Sequence, residues 1–235
     1  MLTFWFDKNR RIVHYISCFW GWHYFLVNPF WKFEIEGREN IDPNKTYILI
    51  ANHASYFDIL AMYGLFRQFK FVSKETIFKI PLIGWNMYLN QYVKIKRGNM
   101  SSIKEMMATC RHWLKQGASV MMFPEGTRTE NGDFLPFRAG SFTLSLELGI
   151  PVVPIVIYGT YEVFPKNRNS IHVFQPIKVK VLPPMDPKDY EGKPGKMKDD
   201  AVTAMLAVHD DLRRKNAVAI GSGEKPERLV GTSKK

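Results

Sequence analysis

In the stretch ILIANHASYFDIL, residues 48–60, an otherwise apolar run holds His53 and Asp58 five positions apart, with Asn52 directly before the histidine. Imidazole is the side chain suited to moving protons near neutral pH. A carboxylate that accepts from one ring nitrogen fixes the tautomer and leaves the other nitrogen as a free base. The spacing alone proves little, because positions five apart on an ideal helix lie about 140° round the axis and do not face each other. The chain must bend between them. Ser55-Tyr56-Phe57-Asp58 supplies that bend: it has the form of a capping box, a serine at a helix start and an acidic residue three later, ahead of an apolar run. His53 then sits on the turn leaving a strand, and Asp58 reaches back toward its ring from the first helical turn. This is a base and its orienter without a built-in nucleophile. No G-x-S-x-G elbow occurs, and neither Cys18 nor Cys110 neighbours a candidate base. A pair of this kind activates a hydroxyl that a substrate brings, which implies group transfer without a covalent enzyme intermediate.

A second polar segment, FPEGTRTENGDFLPFRAGSF, begins at Phe123. A strand is expected to end there, so that Glu125-Gly126-Thr127-Arg128 forms a turn at its carboxyl end, where open α/β sheets place their ligands. Arg128 offers a planar fork suited to a phosphate, with the Thr127 hydroxyl beside it. Glu125 can hydrogen-bond a sugar-like or glycerol hydroxyl, or orient Arg128.

These residues need a scaffold, and the rest of the chain describes one. Its 235 residues, 46% of them hydrophobic, are enough for one substantial α/β domain. Buried strands are expected at 46–52, 69–73, 91–95, 119–123 and 151–159, with helices at 58–66, 103–116, 139–149 and 199–214 between or after them. The run 177–181 alternates strictly, so one face is wet and lysine-covered. FEIEGRENI, 33–41, reads as a strand turning at Gly37, and KETIFKIPLIGW, 74–85, as a short helix and a turn broken by Pro81 and Gly84. The apolar segment 77–90 is a candidate wall for an apolar ligand or ordinary core. Strands alternating with helices predict a mostly parallel or mixed central sheet flanked by helices. No Walker A loop or Rossmann glycine fingerprint occurs, which leaves nucleotide hydrolysis and nicotinamide chemistry without support.

Composition narrows the partners. The net charge of +11 demands something anionic. Lysine and arginine are scattered apart from 8–11 and 213–215, and no nucleic-acid recognition motif is present, so nucleic acid is not expected. The two cysteines have no disulfide framework and no metal-ligand spacing, which fits a reducing compartment and excludes a zinc site built on sulfur. Four of the six tryptophans fall in the first 31 residues, as membrane interfaces favour and soluble cores do not. The apolar stretch between Arg11 and Lys32 is interrupted by His14, Ser17, His23 and Asn28. An interfacial or re-entrant anchor is therefore expected rather than a span, the alternative being a helix packed on the domain. The expected organisation is an anchor at 1–32, an α/β domain at 33–214 and a disordered basic tail at 215–235.

Taken together, the segments resemble the glycerolipid acyltransferase family typified by 1-acyl-glycerol-3-phosphate acyltransferase. Asn52-His53-Ala54-Ser55-Tyr56-Phe57-Asp58 is similar to its N-H-x-S-x-x-D block, Tyr92 to Arg97 to its second block, Phe123 to Arg128 to its third and Val152-Val153-Pro154-Ile155 to its fourth. Lys94 and Lys96 depart from the second block, standing where relatives often carry apolar or acidic residues. The resemblance covers about residues 37–184. It implies direct acyl transfer, with His53 as base, Asp58 holding its ring, and acyl-CoA or acyl-carrier protein as donor to a lysophospholipid hydroxyl. It also implies that Glu125, Gly126, Thr127 and Arg128 hold the glycerol phosphate, with Arg97 and Lys74 as further anionic contacts. No cofactor and no metal are implied. Other acceptors, such as glycerol 3-phosphate or a lyso-aminolipid, remain open, as does a non-catalytic membrane-binding module. Either way the expected place is the cytoplasmic face of a membrane, peripheral or monotopic.

Overall fold

In the computed structural model, which describes residues 7–28, 30–167, 171–172 and 175–221, the apolar runs assemble one seven-stranded sheet. The strands are β1 (Phe33–Glu36), β2 (Ile48–Ala51), β3 (Phe69–Lys74), β4 (Val93–Ile95), β5 (Ser119–Met122), β6 (Val152–Tyr158) and β7 (Ile177–Val181). The helices are α1 (Arg11–Val27), α2 (Phe57–Tyr63), α3 (Ile83–Leu89), α4 (Met100–Lys115), α5 (Gly140–Leu148), α6 (Thr160–Val163) and α7 (Pro194–Gly221), and 3₁₀ turns include Glu75–Lys79. The spatial order is β1-β7-β6-β2-β5-β3-β4, parallel throughout except for the antiparallel β6–β7 pair. The expected mixed sheet is what forms.

Strands β2, β5 and β6 lie at the centre and are buried along their whole length, so their sequences read as continuous apolar runs without alternation. Successive side chains still point to opposite faces. Leu49 and Ala51 join a core with α1 and α2, while Ile48 and Ile50 join a second core with α4, α5 and α7. Next to the edge strand β1, β7 alternates as expected, and its Lys178 and Lys180 pair with Glu34 (3.2 Å) and Glu36 (3.0 Å) of β1. The turn after β1 requires glycine: Gly37 has φ +74°, and a Cβ there would overlap the Val181 carbonyl oxygen at 2.1 Å.

Helix α1 has two unlike faces. Its inner face buries His14, Ser17, Cys18, Gly21 and Phe25 against the domain. Beneath it runs a chain of buried polar groups. His14 Nδ1 and the Tyr92 hydroxyl lie 3.0 Å apart, and the Tyr92 and Tyr63 hydroxyls 3.1 Å apart. Ser17 Oγ donates to Asn86 Oδ1 (2.6 Å) and accepts from Asn90 Nδ2 (2.9 Å). Lys70, also buried, donates to the carbonyls of Asn9 (2.8 Å) and Asn90 (2.7 Å), and burial pushes its amine down to about 7. The outer face leaves Ile16, Phe19, Trp20, Leu26 and Val27 in solvent. The helix thus packs on the domain and presents an apolar surface as well. No described helix is long and apolar enough to cross a membrane.

Two boundaries differ from expectation. The last helix starts at Pro194, a first-turn position that proline tolerates, and runs on to Gly221. Lys215, expected to open a disordered tail, is held instead by Asp211 one turn back (2.7 Å) and remains helical. Residues 222–235 of that expected tail, and 1–6 of the aromatic amino terminus, lie outside the described residues. The segment 77–90 buries Phe78, Gly84 and Met87 but exposes Ile80, Leu82, Ile83, Trp85, Tyr88 and Leu89. It is therefore partly core, and its other face is a second apolar surface beside that of α1.

Candidate active site

The carboxyl ends of β2, β5 and β6 meet at one point, and the polar residues of the sequence converge there. Asn52 follows β2 without leaving its line. Its side-chain amide donates to the Ile157 carbonyl (2.8 Å) and accepts from the Ile157 N–H (2.8 Å), extending the β2–β6 ladder by one step after the backbone has turned away. That bracing fixes where the turn begins, which explains the asparagine before the histidine.

The next residue is His53, 9% exposed, its ring stacked on Phe123 at 4.1 Å between centroids and 16° between planes. Its Nδ1 lies 2.8 Å from Asp58 Oδ2. The same oxygen accepts from the backbone N–H groups of Ala54 (2.7 Å) and Ser55 (2.9 Å), and Oδ1 accepts from the Thr160 hydroxyl (2.5 Å). With three other donors around it, Asp58 serves as acceptor to the ring, so Nδ1–H donates to it. The capping box forms as expected on the Asp58 side. Ser55 Oγ accepts from the Phe57 N–H (3.2 Å) and donates to the Phe164 carbonyl (2.8 Å). That serine is thereby occupied and is no nucleophile. Burial pushes the Cys18 and Cys110 thiols up to about 12, which removes both as nucleophiles too.

Glu125 is buried, and both its oxygens are spent on backbone: Oε1 accepts from the His53 N–H (2.7 Å) and Oε2 from the Leu135 N–H (2.9 Å). Burial pushes its carboxyl up to about 7, opposed by these two N–H donors and reinforced by the nearby Asp58. This arrangement adds a third role to the two foreseen for Glu125, a bond to a substrate hydroxyl or orientation of Arg128. Its carboxylate is a clamp between His53 and the 129–137 loop. The Thr129 N–H closes the same junction by donating to the His53 carbonyl (2.9 Å). The turn itself needs Gly126, at φ +74°.

Arg128 lies over the Tyr56 ring (3.7 Å from Cζ to centroid), with its Nη1 buried and unpartnered. Arg97, just past β4, is close enough to Arg138 and Arg128 that these two charges, after burial, lower its guanidinium below the ordinary range. Sequence position had not singled out Arg138, although it lies within the same segment. Lys74 ends β3 at the same end of the sheet, exposed, in register with Ile95. Lys94 turns elsewhere, its Nζ over the rings of Tyr88 (4.2 Å) and Phe78 (5.2 Å). Thr160 was also missed; its signal was a polar residue directly after the buried run of β6.

The sheet and its site define an α/β protein that holds a His–Asp pair beside a cluster of arginines with no ion-pair partner among the described residues. The chain belongs to the acyltransferase family, whose model matches residues 32–158. It is 40% identical over 167 residues to a 1-acyl-sn-glycerol-3-phosphate acyltransferase of Chlamydomonas reinhardtii, covering 70% of this chain and 50% of that relative. It is 39% identical over 168 residues to a chloroplastic 1-acyl-sn-glycerol-3-phosphate acyltransferase of Arabidopsis thaliana, covering 71% and 47%. The chain thus spans about half the length of these relatives. Among solved structures, the 1-acyl-sn-glycerophosphate acyltransferase PlsC of Thermotoga maritima superposes with a TM-score of 0.75 at 27% identity, over 88% of this chain and 82% of the other.

Proposed function

We propose that the protein transfers an acyl group to the free hydroxyl of 1-acylglycerol 3-phosphate, forming phosphatidic acid. The observation that carries this reading is the His53–Asp58 pair (2.8 Å) fixed through Glu125 to the arginine-bearing turn, a base held beside an anion site with no enzyme nucleophile between them. The family and the names of the relatives agree with it. His53 Nε2 removes the hydroxyl proton as the oxygen attacks the thioester carbonyl of acyl-CoA or acyl-carrier protein. The new C–O bond forms, the C–S bond breaks, and the thiol leaves with the proton that His53 carried. Asp58 holds the ring and stabilises the imidazolium between these steps. Arg128 and Arg97 hold the acceptor phosphate, with Thr127 at the same turn and Lys74 at its margin, while Glu125 acts by positioning His53.

The acceptor is a lipid, and two surfaces suit its source. The outer faces of α1 and α3 are apolar, and Ser17, Asn86 and Asn90 bind the two helices side by side. We place these faces in one leaflet at the cytoplasmic side of a membrane, without a span. The test is a panel: purified protein offered lysophosphatidic acid, glycerol 3-phosphate and lyso-aminolipids with acyl-CoA and with acyl-carrier protein. The expected result is turnover on lysophosphatidic acid above all others. Acylation of none of these hydroxyls would sink the reading and favour a binding module.

A further inference from the structure

Three arginines, not two, surround the turn after β5. Arg138 arrives there by its backbone, since its N–H donates to the Pro124 carbonyl (3.0 Å). Its guanidinium folds over Gly126 so closely that a Cβ at that glycine would lie 3.0 Å from Arg138 Nε and 3.3 Å from Cζ. Arg97 feels the charges of both Arg138 and Arg128. Among the described residues, no carboxylate lies within ion-pair distance of any of the three. Arg97 and Arg138 are exposed and Arg128 half-buried, so water screens part of their repulsion, and an anion seated among them would relieve the rest.

We infer that Arg138 completes a phosphate pocket with Arg97 and Arg128, a pocket fitted to the doubly charged phosphomonoester of the acceptor. This rests on the reading above that the acceptor carries a phosphate. The donor thioester of coenzyme A is phosphorylated too, but the junction favours the acceptor. Glu125 and Thr129 join this turn to the backbone of His53 itself, which places the anion beside the atom that takes the acceptor's proton. A phosphodiester headgroup brings one negative charge instead of two and is held less well.

The experiment compares the full-length protein with Arg138→Ala and Arg138→Lys. Binding of 1-acylglycerol 3-phosphate and of the matching 1-monoacylglycerol, in the same neutral micelles, is followed by calorimetry, and KM is measured for acceptor and donor separately. Arg138→Ala is expected to weaken phosphate-lipid binding about 10- to 100-fold, the loss of one charge-assisted bond. Its donor KM and its binding of the neutral lipid should stay unchanged, and Arg138→Lys should restore most of the affinity. Unchanged phosphate-lipid binding in Arg138→Ala, an equal loss for the neutral lipid, or a rise confined to the donor KM would overturn the proposal. Wild-type protein that binds the phosphate lipid in this pattern but never acylates it would remove the acyl-transfer reading and leave the pocket standing.

Discussion

Asp58 is the most heavily used side chain in the molecule, taking three N–H groups and one hydroxyl in a place without solvent. Its loss should therefore do two things at once. In Asp58→Asn an amide nitrogen faces donors, which should lower stability by about 1–3 kcal/mol, read as a lower melting temperature. It should also release the imidazole, with turnover falling about 10²- to 10⁴-fold. His53→Ala should lose at least as much turnover while still folding, its melting temperature lowered only by the lost Phe123 stack and Asp58 bond. A His53→Ala protein keeping near-normal turnover would refute the base assignment. These two residues were legible in the sequence because a capping box and a catalytic pair share the same spelling. Asn52 and Glu125 were visible as unusual residues, but their duties were not. Both bind backbone groups far away in sequence, Asn52 those of Ile157 and Glu125 that of His53, and no local pattern encodes such a partner.

At the scale of elements, the strands were readable wherever burial on both faces left a continuous apolar run, and β7 wherever one wet face made it alternate. Helix α1 was harder, because its residues satisfy two surfaces at once and its aromatic content outweighed the quieter pattern of His14, Ser17 and Gly21. Its inner face leads to a concrete expectation. Sequence composition suggested that deleting residues 1–31 would free an intact domain from membranes. The network beneath α1 indicates instead that deletion strips partners from Tyr92, Asn86, Asn90 and Lys70, and the truncated protein should melt well below the full chain or precipitate. A truncated protein melting like the intact one would contradict this. The same face carries a pH signature. Burial pushes the His14 imidazole down to about 3, so between about 6.5 and 3 the unfolded chain binds a proton that the folded chain refuses. Stability should thus fall as pH drops through that window, by at most about 1.4 kcal/mol per pH unit from this group. In His14→Gln the decline, measured by denaturant unfolding between pH 7 and pH 5, should be shallower than in the wild type, even if the variant starts out less stable.

Seen whole, the molecule has its candidate active site at the carboxyl edge of its sheet and an apolar flank made by α1 and α3, where Leu82 (71% exposed), Phe19 (63%) and Trp85 (63%) project. A flank this apolar on a chain of net charge +11 suits an anionic bilayer. Replacing Leu82 and Trp85 together by aspartate should weaken sedimentation with phosphatidylglycerol vesicles by about tenfold or more, given the apolar area each side chain would bury. Turnover on a short-chain, water-soluble acceptor should be preserved. Sedimentation equal to wild type would place the membrane contact elsewhere. The junction at His53 bears on regiochemistry as well. Its N–H is gripped by Glu125 and its carbonyl by Thr129, so base and arginine turn are fastened through one and the same residue. They behave as the two jaws of a gauge whose opening is set by the backbone. On the proposed acyl-transfer reading, a substrate gripped by its phosphate would present whichever hydroxyl falls at that fixed reach. The choice of glycerol carbon is then a matter of length, decided before any chemistry begins.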